Sequence, residues 1–132
     1  MTDIIPFDKR EGHIWYNGEF CDWQDAKVHV LNHGLHYASC VFEGERIYNG
    51  KIFKCTEHSS RLHKSAELLG FEIPYSVEDL DKFKKETAKK QNIVDGYMRA
   101  FAWRGSEKMA ISAQNNKIHV AIACWPWPPY YS

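Results

Sequence analysis

An α+β fold, with a mainly antiparallel sheet covered by two or more helices, is what this sequence predicts on three observations. Two Asn-Gly pairs, Asn17-Gly18 and Asn49-Gly50, each stand between apolar or aromatic runs. Such a pair adopts consecutive positive φ values at little cost, which a tight hairpin requires. Two adjacent helical patterns follow the second pair, and two runs of strand character come after them. Strands and helices segregated in this order favour helices laid on one face of an antiparallel sheet.

The first hairpin joins Ile14-Trp15-Tyr16 to Glu19-Phe20. Residues 26–31, with the run KVHV, read as a short strand entering a turn at His33-Gly34. Residues 42–48 and 51–54 form the arms of the second hairpin. Thr56 is the expected N-cap of a helix over 57–69, with Glu57 in its first turn and Gly70 just past its end. Leu62, Ala66 and Leu69 give that helix an apolar stripe at spacings of three and four. Ser76 caps a second helix over 77–91, with Asp79 three residues on. Lys82, Lys84, Lys85, Lys89 and Lys90 read as its solvated, charged face. Residues 96–103 alternate as a strand, and the apolar run 118–124 reads as a buried central strand. Prolines in Trp125-Pro126-Trp127-Pro128-Pro129-Tyr130-Tyr131 argue against a helix or central strand there. Rings clustered in this way mark a contact surface.

Composition narrows the function classes. A chain of 132 residues supports one core. Lys and Arg number 17 against 17 Asp and Glu, so no broad electrostatic case exists for nucleic acid or an anionic membrane. No apolar stretch approaches the roughly 20 residues of a membrane span, and the start MTDIIPFDKREG is not a signal peptide. Cys21, Cys40, Cys55 and Cys124 are scattered without pairing, as expected of reduced thiols in the cytoplasm. His29, His33 and His36 have helical spacing, but the His33-Gly34 turn breaks the helix that would align them. They read as structural, with no metal site.

Two arginines carry recognition chemistry. Arg61 precedes Leu62 on the first helix, so it flanks the apolar face and suits an anion through its guanidinium fork. Tyr97 and Arg99 fall on one face of their strand, with Met98 on the other. A phenol beside a guanidinium offers a neutral donor and a charged fork, the elements of a carboxylate receptor.

His36-Tyr37, Val41-Phe42-Glu43-Gly44, Arg46 and His58, Arg61-Leu62 and Ser65-Ala66 resemble the N-terminal half of fold-type IV pyridoxal-phosphate transaminases, above all the branched-chain amino-acid aminotransferases. The resemblance covers about residues 14–131. It implies a small N-terminal domain over 1–124, the start of an interdomain connector over 125–132, and a lysine-bearing C-terminal domain outside this chain. In the matching enzymes the arginine at Arg61 holds the cofactor phosphate, and Tyr97-x-Arg99 binds the substrate α-carboxylate. Phe42, Gly44 and Arg46 match the substrate side-chain pocket, and Trp127 and Tyr130 match connector aromatics that close over it. Tyr37 and Ile111 match residues contributed across a dimer interface.

The implied whole enzyme moves an amino group from Leu, Ile or Val to 2-oxoglutarate on pyridoxal phosphate. This chain, without the Schiff-base lysine, is expected to be inactive alone and to bind cofactor weakly or not at all. Its expected partners are the amino-acid and 2-oxo-acid substrates, with a homodimer or a separately encoded C-terminal half. Two alternatives stand beside this: an interaction half-domain pairing with another chain, and a D-amino-acid transaminase or lyase of the same fold. Tyr97-x-Arg99 speaks against the second.

Overall fold

The computed structural model describes residues 5–127. Its six strands are β1 (His13–Tyr16), β2 (Glu19–Asp22), β3 (Cys40–Tyr48), β4 (Lys51–Ile52), β5 (Gly96–Arg104) and β6 (Ile118–Pro126). They form one sheet in the order β2-β1-β6-β5-β3-β4, antiparallel at every pairing. The helices are α1 (His33–His36), α2 (Cys55–Leu68) and α3 (Val77–Lys90). The architecture is the expected α+β one. Both hairpins turn on their Asn-Gly pairs, with φ of 51° and 101° at Asn17 and Gly18 and 52° and 77° at Asn49 and Gly50.

Helices α2 and α3 cover one face of the sheet. Leu62, Ala66 and Leu80 meet Trp15, Ile47, Met98, Val120 and Ile122 in the main core, all at most 1 % exposed. The run 118–124 lies within β6, an interior strand between β1 and β5, as its apolarity predicts. Ser76 caps α3 as expected, its hydroxyl accepting from the Asp79 N–H at 3.1 Å.

Several local expectations need correction. Thr56 is not the N-cap of α2: the helix begins at Cys55 behind Lys54, which takes a left-handed φ of 58°. The Thr56 hydroxyl donates instead to Asp81 of α3 at 2.6 Å, and Ser59 donates to the same carboxylate at 2.5 Å. Residues 26–31 form no strand. They belong to the crossover from the β2 edge to β3, which runs over the sheet face opposite α2 and α3 and finds no ladder partner. Val30 is 72 % exposed in consequence. His33-Gly34 opens a single helical turn instead of breaking one. Gly34 sits tight against the sheet, where a Cβ would come within 2.8 Å of the Trp103 Cβ. Strand β6 continues through Trp125 to Pro126, whose position at the strand end costs no interior ladder bond.

Lys84 is the largest correction. It is not on the solvated face of α3 but fully buried, in line with Leu80, Thr87 and Ala88. Its ammonium lies 2.9 Å from one Glu45 oxygen and 3.0 Å from the other, and donates to Ser59 Oγ at 2.7 Å. Burial pushes the Glu45 carboxyl above its usual range, and the Lys84 charge pulls against that.

Candidate functional site

Strand alternation sorts β3 into two sets. Val41, Glu43, Glu45 and Ile47 are buried toward the helices, while Phe42, Gly44 and Arg46 face the other side. Tyr97, Arg99 and Phe101 of β5 share that second face, since Met98, Ala100 and Ala102 fill the core. The register places Gly44 opposite Arg99 and Arg46 opposite Tyr97.

Phe42, Gly44, Arg46, Tyr97, Arg99 and Trp127 therefore converge. The Arg99 guanidinium carbon lies 4.6 Å from the Phe42 ring centre and 5.4 Å from that of Tyr97. Arg99 Nη2 donates to the Tyr97 hydroxyl at 3.0 Å. Arg99 forms no ion pair with an acid among the described residues, and its Nε is buried with no hydrogen-bond partner. The Tyr97 ring is bracketed by Trp125 at 5.1 Å and Trp127 at 5.4 Å. Arg46 Nη2 donates to the Trp127 carbonyl at 3.3 Å, tying the end of β6 back to β3. A Cβ on Gly44 would overlap the Tyr97 hydroxyl and come within 2.8 Å of its Cζ. Glycine at this position makes room for the phenol that steadies Arg99. Tyr130 lies outside the described residues.

Arg61 belongs to a separate group on the helix side of β3. Its Nε donates to both Glu43 oxygens at 3.0 and 2.9 Å, and its Nη2 donates to Oε1 at 2.8 Å. His58 Nδ1 reaches the same oxygen at 2.6 Å. The carboxylate is only 5 % exposed while the Arg61 side chain is 66 % exposed. Sequence reasoning passed over Glu43 and His58 as site residues; the i, i+3 spacing of His58 and Arg61 was the available signal.

Tyr37 and Ile111 make a third group. The Tyr37 ring stacks on His33 at 4.3 Å. His33 Nε2 donates to the Ala110 carbonyl at 2.9 Å, with its Nδ1 2.6 Å from Ser39 Oγ. This bracing joins α1 to the loop before β6 and leaves Ile111 83 % exposed. No hydrogen bond or ring contact links Tyr37 or Ile111 to Tyr97 or Arg99 among the described residues. Under the crossover lies an apolar recess of about 390 Å³, walled by Ile14, Tyr16, Leu35, Phe101 and Trp103.

The Glu43 cluster has a pH consequence. Burial alone would raise the Glu43 carboxyl, but hydrogen bonds from Arg61 and then His58, with their charges, hold it below its ordinary 4.5. A depressed folded value means that the unfolded chain binds the proton first as pH falls. The stability from this contact is thus present above pH 4.5 and drains as pH drops through the lower folded value. Chemical denaturation in steps of pH should show the gap between wild type and Glu43→Gln narrowing in acid. A constant gap would mean that the contact is not ionic.

The described residues thus form an α+β domain whose aromatic sheet face carries an arginine with no acid ion-pair partner among them. The family model for amino-transferase class IV matches residues 40–132, and the chain belongs to that family. It is 46% identical over 126 residues to a probable branched-chain-amino-acid aminotransferase of Rickettsia felis, matching 96% of this chain and 43% of that protein. It is 40% identical over 125 residues to the branched-chain-amino-acid aminotransferase of Pseudomonas aeruginosa, matching 92% of this chain and 41% of that one. Among solved structures, the Escherichia coli branched-chain enzyme superposes with a TM-score of 0.86 at 35% identity, over 93% of this chain and 42% of that one. The branched-chain enzyme of Thermoproteus uzoniensis with norvaline gives 0.84 at 32% identity, over 92% of this chain and 42% of that one. The chain thus spans about two fifths of the length of these relatives.

Proposed function

We propose that this chain supplies the substrate-carboxylate and cofactor-phosphate contacts of a branched-chain amino-acid transaminase using pyridoxal phosphate. The observation that carries the reading is Arg99: half-buried, seated over Phe42 and Tyr97, and without an acid of its own among the described residues. A guanidinium so placed keeps its charge and spare N–H donors for a ligand carboxylate. The residues also fit the cofactor at its phosphate. Glu43 occupies the Nε edge of Arg61, and the Nη1 side has no partner among the described residues.

When bound, pyridoxal phosphate supplies the electron-withdrawing ring and carbonyl that carry the amino group between substrates. This chain's residues bind and orient. Arg99 and the Tyr97 hydroxyl hold the carboxylate, Phe42 and Trp127 offer apolar walls for a branched side chain, and Arg61 holds the phosphate. Tyr37, Ile111 and Tyr130 would complete the pocket, the first two across a homodimer. The open-face positions of β3, β5 and β6 contain no lysine, and we expect the chain alone to be inactive. Burial pushes the Cys55 and Cys124 thiols up to about 12, so both stay protonated and poorly nucleophilic near neutral pH.

The test is titration of the chain with 4-methylvaleric acid, read by tryptophan fluorescence from Trp125 and Trp127. Losing hydrogen bonds to a charged group costs about 1.5–3 kcal/mol, so Arg99→Met should weaken binding roughly 10- to 100-fold. Equal affinity in wild type and variant would remove the carboxylate assignment.

A further inference from the structure

We propose that Glu43 is a positioning residue for the Arg61 phosphate contact: a buried carboxylate that turns one edge of an exposed guanidinium toward its ligand. The inference rests on the phosphate role proposed above for Arg61. An arginine that is 66 % exposed on a helix surface ordinarily samples many rotamers, and immobilising one costs about 2 kcal/mol of side-chain entropy. Here that cost is met before any ligand arrives. Both Glu43 oxygens are engaged by Arg61 Nε, and Oε1 also takes Nη2.

The carboxylate itself has little freedom. It projects from the middle of β3 toward α2, is 5 % exposed, and is held from a second direction by His58 Nδ1 at 2.6 Å. His58 and Arg61 stand one helical turn apart on α2, so one strand residue fixes two helix residues. With Nε and the inner Nη2 hydrogen committed, Arg61 presents Nη1 and the outer Nη2 hydrogen as a fork of the width that phosphate oxygens accept.

The arrangement has an electrostatic cost, and that cost makes the idea testable by sign. Glu43 offsets most of the Arg61 charge, so a carboxylate present only for stability would oppose anion binding. Glu43→Gln removes the charge and weakens the two-point grip. If Glu43 positions Arg61, the variant should bind inorganic phosphate about tenfold more weakly despite its more positive site. If Glu43 only neutralises or braces, phosphate should bind equally well or more tightly.

The experiment is an NMR titration of the full chain with inorganic phosphate, following the arginine side-chain N–H signals in wild type, Glu43→Gln and Arg61→Ala. In wild type the Arg61 Nε–H should be slow to exchange and stay in place as phosphate shifts the Nη signals. An Nε signal that moves with them, or exchanges freely, overturns the inference even if Glu43→Gln does not fold. Phosphate binding that is absent in wild type, or undiminished in Arg61→Ala, removes the phosphate role itself. Loss in Arg61→Ala with no loss in Glu43→Gln removes only the positioning role.

Discussion

Lys84→Ala should lower the folding free energy by about 3–5 kcal/mol, the usual cost of removing one partner of a buried ion pair. Lys84 and Glu45 are each fully buried, and the ammonium also satisfies Ser59 Oγ and the Cys55 carbonyl. Truncation leaves the buried Glu45 carboxylate between β3 and the two helices without its counter-ion. For a domain whose total stability is about 5–15 kcal/mol, the loss removes a large share of it. The paired replacement Lys84→Met with Glu45→Leu should restore stability to within about 1–2 kcal/mol of wild type, because it removes the need for the pair as well as the pair. Urea denaturation of the three proteins reads both effects. A change below about 0.5 kcal/mol in Lys84→Ala would place this lysine with ordinary surface residues.

Gly44→Ala should abolish most carboxylate binding while leaving the fold in place. The added Cβ would overlap the Tyr97 hydroxyl and sit 2.8 Å from Cζ. The ring has little room to yield, since Trp125 and Trp127 lie against it at 5.1 and 5.4 Å. Displacing the phenol breaks its 3.0 Å bond with Arg99, which then loses its orientation over Phe42. Affinity for 4-methylvaleric acid should fall at least about tenfold, equivalent to the loss of one charge-assisted hydrogen bond. Tyr97→Phe tests the route, because Gly44→Ala should cost less in that background, where the overlapping oxygen is gone. Full additivity of the two changes would show that Gly44 acts otherwise, and unchanged affinity in Gly44→Ala would refute the close-approach argument.

Much of the fold was legible because it rests on local chemistry. The Asn-Gly pairs specify their turns through backbone φ alone, and Ser76 caps α3 through a bond spanning three residues. Period-two alternation put Tyr97 and Arg99 on one face without reference to any other strand. Phe42, Gly44 and Arg46 came from the resemblance to class IV transaminases, and their alternation within β3 is why the structure finds them on one face.

What stayed hidden depends on which elements meet. Lys84 lies in a lysine-rich stretch whose composition reads as surface, and only the packing of α3 on β3 brings Glu45 to it. Thr56 has the chemistry of an N-cap, yet Asp81 from the next helix claims its hydroxyl. Residues 26–31 have strand character, but a crossover spanning the sheet has no edge to pair with. The sequence by itself determined the turns, the helix that Ser76 starts and the side of the sheet that each strand residue faces, since these depend on neighbours a few residues apart. Tertiary structure alone decided the charge partners. Glu43 meets Arg61 and Glu45 meets Lys84 across 18 and 39 residues of chain, and no periodicity reaches that far.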